Sequence, residues 1–152
     1  MPYEFYLYLH VLSACLFIGS ILICTFWKIN AERTGDVRII RFALRSIFFA
    51  DGFITIPSVA VLYFSGVYIA GVKDLDITLT PWIHYSIILL GASGIIWMAG
   101  LVPLQILQVR SLDGDAIGPK FRLYARLWLG VAIVAKILPL TILVLMIFRS
   151  DS

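Results

Sequence analysis

Four stretches of the sequence, residues 5–27, 47–72, 81–107 and 127–148, run for more than twenty positions each with almost no charge. About 20 apolar residues, at about 1.5 Å rise each, cross the hydrocarbon core of a bilayer. Lipid offers no hydrogen bonds to the backbone, so a spanning segment must satisfy its own N–H and C=O groups, which an isolated run of this length does as a helix. Four such helices occupy most of the 152 residues and leave no room for a second domain. The expected fold is an all-α membrane protein, a four-transmembrane-helix bundle forming one domain over residues 1–152.

Composition narrows the function classes. The chain is 61% hydrophobic and 14% charged, with a mean hydropathy of +0.99, whereas soluble chains are about 45–50% apolar. This excludes a disordered chain, a nucleic-acid-binding domain and most soluble enzymes. The net charge of +3 reads as topology. Lys28, Arg33, Arg38, Arg41 and Arg45 lie between the first two stretches, and Arg110, Lys120, Arg122 and Arg126 between the last two. Cytoplasmic loops collect bases, so both termini are expected outside. Anionic lipid, not nucleic acid, accounts for these loops. Glu4 precedes the first stretch and Lys28 follows it, the reverse of a secretory signal, so none is expected.

Local signals refine the layout. Gly35-Asp36, Asp113-Gly114-Asp115 and Gly118-Pro119 mark turns. The connection from Asn30 to Arg45 reads as polar and basic, with its second half, from Val37 on, a surface helix. Thr80-Pro81 opens the third span, with the threonine hydroxyl as cap and proline at the first helical position. Pro57, Pro103 and Pro139 predict kinks, and Gln105 and Gln108 mark the inner exit of the third span. Tyr3, Tyr6, Tyr8, Tyr68, Trp82 and Tyr85 gather at one predicted boundary, and Trp27, Tyr124 and Trp128 at the other, as interfacial aromatics do.

The chain has two histidines, and both fall inside spans. Counting from the outer ends, His10 lies roughly 8 Å deep and His84 roughly 5 Å. Ionisable groups in a membrane call for a functional hypothesis. Two imidazoles at matched depth could ligate a haem iron held between facing helices. Small residues such as Ser13 and Gly91 would let a macrocycle approach the backbone. Copper also suits imidazole, although Cys24 and Met98 give only a sparse ladder of soft ligands. The alternative is that both histidines merely join helices. Lys136 lies near the middle of the fourth span and is expected to face the bundle, as an organiser or a proton-exchanging group. Asp51 is expected to pair with Arg45 or Arg126 at the inner surface. Cys15 and Cys24, nine residues apart, point to opposite sides of their helix and cannot bridge.

Three motifs carry a family resemblance: Leu9-His10 opening the first span, Trp82-Ile83-His84 opening the third, and Lys136 with Pro139 in the fourth. The chain resembles a bacterial superfamily that includes HemJ protoporphyrinogen oxidases, the CopD copper-resistance membrane domain and a branch of predicted integral membrane proteins of this size, to which it is most similar. In HemJ-like sequences the lysine and proline are adjacent, whereas here Ile137 and Leu138 intervene.

The HemJ likeness implies haem b on His10 and His84, with Lys136 acting on porphyrin or protons and Lys73 and Arg149 beside the propionates. Electron transfer or porphyrin oxidation would follow, with a quinone or a protein as redox partner. The CopD likeness implies copper binding or transport instead. A cofactor-free scaffold or partner subunit is the third reading. Charge asymmetry and resemblance together imply a multi-pass protein of the bacterial inner membrane, touching lipid and able to form a homo-oligomer.

Overall fold

Helix breakers divide the chain where the sequence places them. The computed structural model describes residues 3–112 and 117–148; Arg149 and the Asp113-Gly114-Asp115 turn signal lie outside the described residues. Six α-helices follow one another: α1 (Tyr3–Thr34), α2 (Val37–Ala50), α3 (Ile56–Val72), α4 (Pro81–Ile96), α5 (Val102–Arg110) and α6 (Pro119–Ile147). Two π-helical turns, Asp51–Thr55 and Trp97–Leu101, weld α2 to α3 and α4 to α5. Four continuous helices result, each long and apolar enough to cross a membrane: Tyr3–Thr34, Val37–Val72, Pro81–Arg110 and Pro119–Ile147. The protein is an all-α, four-helix membrane protein.

The spans run longer at their basic ends than the expected 5–27, 47–72, 81–107 and 127–148. The polar stretch from Asn30 to Arg45 is helical except at one corner, because charge alone does not stop a helix. Gly35 stops it: its φ of 69° is the left-handed conformation that only glycine adopts without strain. Asp36 then caps α2, its carboxylate accepting from the Arg38 N–H at 2.7 Å and the Ile39 N–H at 3.4 Å.

At the opposite end α3 closes with Asp74 at φ 51° and the Leu75 N–H bonded to the Ala70 carbonyl at 3.0 Å. This pattern ties off orphan carbonyls. Thr80 does precede α4, but its hydroxyl makes no cap hydrogen bond. The turn is held instead by Asp76, which accepts from the Thr78 hydroxyl at 2.6 Å, the Thr78 N–H at 2.7 Å and the Leu79 N–H at 3.2 Å. Those bonds, the Thr78 hydroxyl foremost, hold the Asp76 carboxyl below its ordinary range.

The prolines act in two ways. A proline lacks an N–H and crowds the carbonyl four residues back. Before Pro57 and Pro103 the chain widens by one residue, so the Ile56 N–H bonds the Asp51 carbonyl and the Val102 N–H bonds the Trp97 carbonyl. Pro139 sits in an unbroken helix. There the Ala135 carbonyl it leaves unpaired accepts the Ser93 hydroxyl from α4 at 3.2 Å.

Helices in lipid associate through small residues and hydrogen bonds, since apolar surface gains little by leaving hydrocarbon. The burial pattern follows. Ser13, Ser20, Thr55, Ser58, Ser65, Ser86 and Ser93 are buried, while Phe53, Phe64 and Ile95 are each at least 70% exposed. Helix α1 packs along α3 and α2, and α6 along α4 and α5, forming two antiparallel hairpins. Among the described residues, the hairpins meet only through α1 with α6 and α2 with α5. An apolar plug of Ala31, Val37, Ile40, Leu44, Leu112 and Phe121 fills this junction at the basic end.

Three expectations change at the junction. Lys28 is 2% exposed; it is ion-paired with Glu32 one turn on and stacked 4.3 Å from the Trp128 ring centre. Gln105 and Gln108 do not exit to water. Gln105 is buried and donates to the Leu44 carbonyl across the hairpins at 3.1 Å, and Gln108 is fully buried. Both follow from α5 continuing to Arg110.

Candidate functional site: an intramembrane cavity between two π turns

Because the hairpins touch only at the basic end, a gap opens between them. It forms a cavity of about 430 Å³ whose walls come from all four spans. Its polar content is Asp51, Lys136, Thr25, Thr55, Cys24 and Ser93, with Gln105 toward the junction. Both π turns border it: Asp51 and Thr55 bound the first, Trp97 and Leu101 the second, and all four line the cavity. π turns of this kind concentrate at functional sites, because the widened turn re-aims a side chain that a regular helix would hold elsewhere.

A hydrogen-bonded chain links α1 to the first π turn. The Ser20 and Thr55 hydroxyls are 2.8 Å apart, and the Thr55 hydroxyl donates to the Asp51 carboxylate at 3.1 Å. The Trp97 indole lines the same cavity as Asp51. Asp51 therefore pairs with neither Arg45 nor Arg126: the π turn faces it inward, away from the basic surface. Lys136 faces the bundle as expected. Its Nζ donates to the Ala132 carbonyl at 3.3 Å and stands 5.3 Å from the Trp128 ring centre. Asp51 and Lys136 line the same cavity and feel each other's charge, but no ion pair within 4 Å joins them among the described residues. The Trp128 indole N–H is buried with no hydrogen-bond partner among the described residues.

The histidines lie elsewhere. His10 turns onto α3, where its Nδ1 is 2.9 Å from the Leu62 carbonyl and 3.1 Å from the Ser65 hydroxyl. Gly66 makes room for it: a Cβ there would stand 2.9 Å from His10 Cε1. His84 is exposed on α4, its ring beside that of Tyr85. Helices α1 and α4 do not pack on each other, so the matched depth of the imidazoles does not become a shared site within one chain. Depth along a helix says nothing about azimuth, and here the two rings point to different surroundings. Neither histidine lines the cavity, and no group of three or more metal-ligating side chains occurs among the described residues.

Ser13 is buried on the face of α1 that also carries Phe17 and Ser20, and is part of the packing between helices. Gly91 does line the cavity. Lys73 is exposed, its Nζ 5.3 Å from the Tyr3 ring centre. Both cysteines are free; Cys15 is exposed and Cys24 lines the cavity.

A family model described as "Predicted integral membrane protein (DUF2269)" matches residues 5–150. The chain belongs to this family. No curated protein matches the chain, and no solved structure does. The DUF2269 match covers all four spans and hence every residue that lines the cavity.

Sequence reasoning missed Thr55, Trp97 and Trp128 as members of a site. A signal was present. Asp51 stands six residues before Pro57 and Trp97 six before Pro103, a spacing that puts each at the start of the turn the proline disrupts.

Proposed function

We propose that the protein is a membrane-embedded binding protein whose ligand is a small molecule drawn from the bilayer. The observation that carries this reading is one carboxylate and one ammonium, Asp51 and Lys136, set in a largely apolar cavity between two π turns. Such charges are costly within a membrane and are kept where they act. A cavity of this size, apolar with a few convergent polar groups, is what small-molecule sites look like. The route in is lateral, since Gly91, Gly94, Ile95 and Met98 line the cavity and are exposed on the apolar surface. The test compares organic extracts of wild type and Gly91→Phe protein, both purified in nanodiscs of one synthetic lipid. Wild type should retain a stoichiometric non-lipid molecule that the variant loses. Identical extracts would overturn the reading.

A second reading places haem b, or copper, on His10. It draws support from the Nδ1 contact with the Leu62 carbonyl, because ligating imidazoles characteristically donate their other ring N–H to a carbonyl or carboxylate, which here would leave Nε2 to bind metal. His84, exposed on a helix that does not pack against α1, does not fit as the second ligand of the same chain. Haem, where bound, would supply the one-electron chemistry of the electron-transfer or porphyrin-oxidising role. The oxidised and reduced absorption spectra, with metal content on the same sample, decide this reading. A Soret band, or bound copper, that His10→Ala abolishes and His84→Ala retains would support it. Colourless, metal-free protein would refute it.

A further inference from the structure

We infer that the cavity selects a neutral ligand whose head carries carbonyl oxygens on a flat ring, a quinone-like molecule rather than a fatty acid or a plain hydrocarbon. This rests on the proposed binding role of the cavity and adds the chemical class. Most hydrogen-bonding groups of the walls are already engaged. Asp51 is an acceptor, and it already takes the Thr55 hydroxyl. Thr55 is itself engaged on both sides, by Ser20 and by Asp51. Ser93 is spent on the Ala135 carbonyl, and Gln105 reaches the Leu44 carbonyl.

Two donors remain. The Lys136 ammonium has three N–H groups, and among the described residues its one hydrogen bond goes to the Ala132 carbonyl. The Trp128 indole N–H, on a side chain only 4% exposed, has no acceptor at all among the described residues. Both side chains line the cavity and lie against each other. A buried donor without an acceptor is costly, so the walls call for an incoming acceptor oxygen.

Charge then selects among acceptors. The nearby groups are Lys136 with Asp51 and Lys28 with Glu32, two positive and two negative, which balance. An anionic head would add an uncompensated charge inside the membrane, which is expensive. A neutral carbonyl meets the donors without that cost. Shape completes the choice: Phe17 and Trp97 line the walls, and flat side chains favour a flat ring.

The test measures equilibrium binding of three radiolabelled probes to the full chain in nanodiscs. They are a decyl-substituted 1,4-benzoquinone, oleate and a chain-matched alkane. The quinone should bind saturably, one per chain, and oleate and the alkane should not. Lys136→Met, which keeps the stem and removes the donors, should weaken quinone binding by about tenfold or more, the effect of losing a charge-assisted hydrogen bond. Trp128→Phe should weaken it by a smaller factor. Ile88→Ala, at a lipid-facing position outside the cavity, should leave it unchanged. Should Lys136→Met fail to fold, the paired variant Asp51→Asn/Lys136→Met removes the stranded carboxylate and makes the same prediction. Saturable oleate binding in place of quinone would overturn the neutral-head inference and leave the cavity reading standing. Alkane binding as tight as quinone would overturn the donor argument. Failure of all three probes to bind would overturn the quinone-like inference, while the extract comparison with Gly91→Phe decides separately whether the cavity binds a molecule at all.

Discussion

Ser93 illustrates how single side chains hold this molecule together. Its hydroxyl serves a carbonyl that exists unpaired only because Pro139 cannot donate. The two residues should therefore couple. Ser93→Ala should destabilise the protein by about 1 kcal/mol, near the usual worth of hydrogen bonds between membrane helices. With Pro139→Ala already present, an N–H returns to the Ala135 carbonyl and the cost of Ser93→Ala should largely vanish. Unfolding of the four proteins of this cycle in detergent checks it, and strictly additive costs would contradict the pairing.

Asp76 offers a pH-dependent counterpart outside the membrane. Its three hydrogen bonds favour the carboxylate and depress its folded value below the ordinary 3.8. The stabilisation is thus present in full above the unfolded value and is lost as pH falls through the lower, folded one. The Thr78 amide shift should titrate with a midpoint below 3.8, and in Asp76→Asn it should not titrate. A midpoint at or above 3.8 in the parent would contradict the assigned bonds.

At the level of elements, the π turns are the features that set this bundle apart from four plain helices. A π turn is an α-helix carrying one extra residue. Deleting Phe53, which is 78% exposed, should convert the first turn to α-helix and leave the buried faces of α2 and α3 where they were. Deleting Val61 from the regular part of α3 should rotate everything beyond it by about 100°. The His10 contacts with Leu62 and Ser65 would then be lost. The first variant should stay folded with a displaced Asp51, and the second should fall markedly in thermal stability. Equal damage from the two deletions would show that the turn is not an insertion.

Much of this scale was legible in the sequence. Runs of apolar residues declare spans, and Gly35-Asp36 declared a corner that the structure keeps. The extra helical length was harder to see, because hydropathy marks where lipid ends and not where hydrogen bonding ends. Ser13 and Ser20, Ser58 and Ser65, and Ser86 and Ser93 stand seven residues apart on three spans, the repeat at which helices wind about each other. Sequence reasoning missed that repeat, yet all six serines are buried. The site was less legible. Lys136 stood out as a charge in mid-span, and it does line the cavity. Asp51 stood out too, but its partners depend on how two helices rotate, and a one-residue widening sets that rotation here. The histidines were matched in depth and separated by azimuth, a quantity that no spacing within a single helix reveals.

For the whole molecule, the even spacing of basic and acidic loops predicts orientation. Nine of the twelve bases lie between spans one and two or three and four, and the positive-inside rule sends those loops to the cytoplasm. In a bacterial host, alkaline phosphatase fused after Phe148 should be active, because that enzyme folds only outside the cytoplasm. A fusion at Arg38 should be inactive. The reverse pattern would invert the topology and place the cavity's junction end at the outer surface.

The hairpin construction also bears on how the protein is made. Every helix contact of α3 runs to α1 or to the turn beside it, and none to the second hairpin. Residues up to Val72 thus carry their own packing, the Ser20–Thr55 bond and the seat of His10. Chains fold from the N-terminus as they are synthesised, so the first half can close in the bilayer while the second is still on the ribosome. The late-arriving hairpin would then complete the junction at the basic end, where Leu112 and Phe121 join Ala31, Val37, Ile40 and Leu44, and the gap is left where the hairpins do not meet.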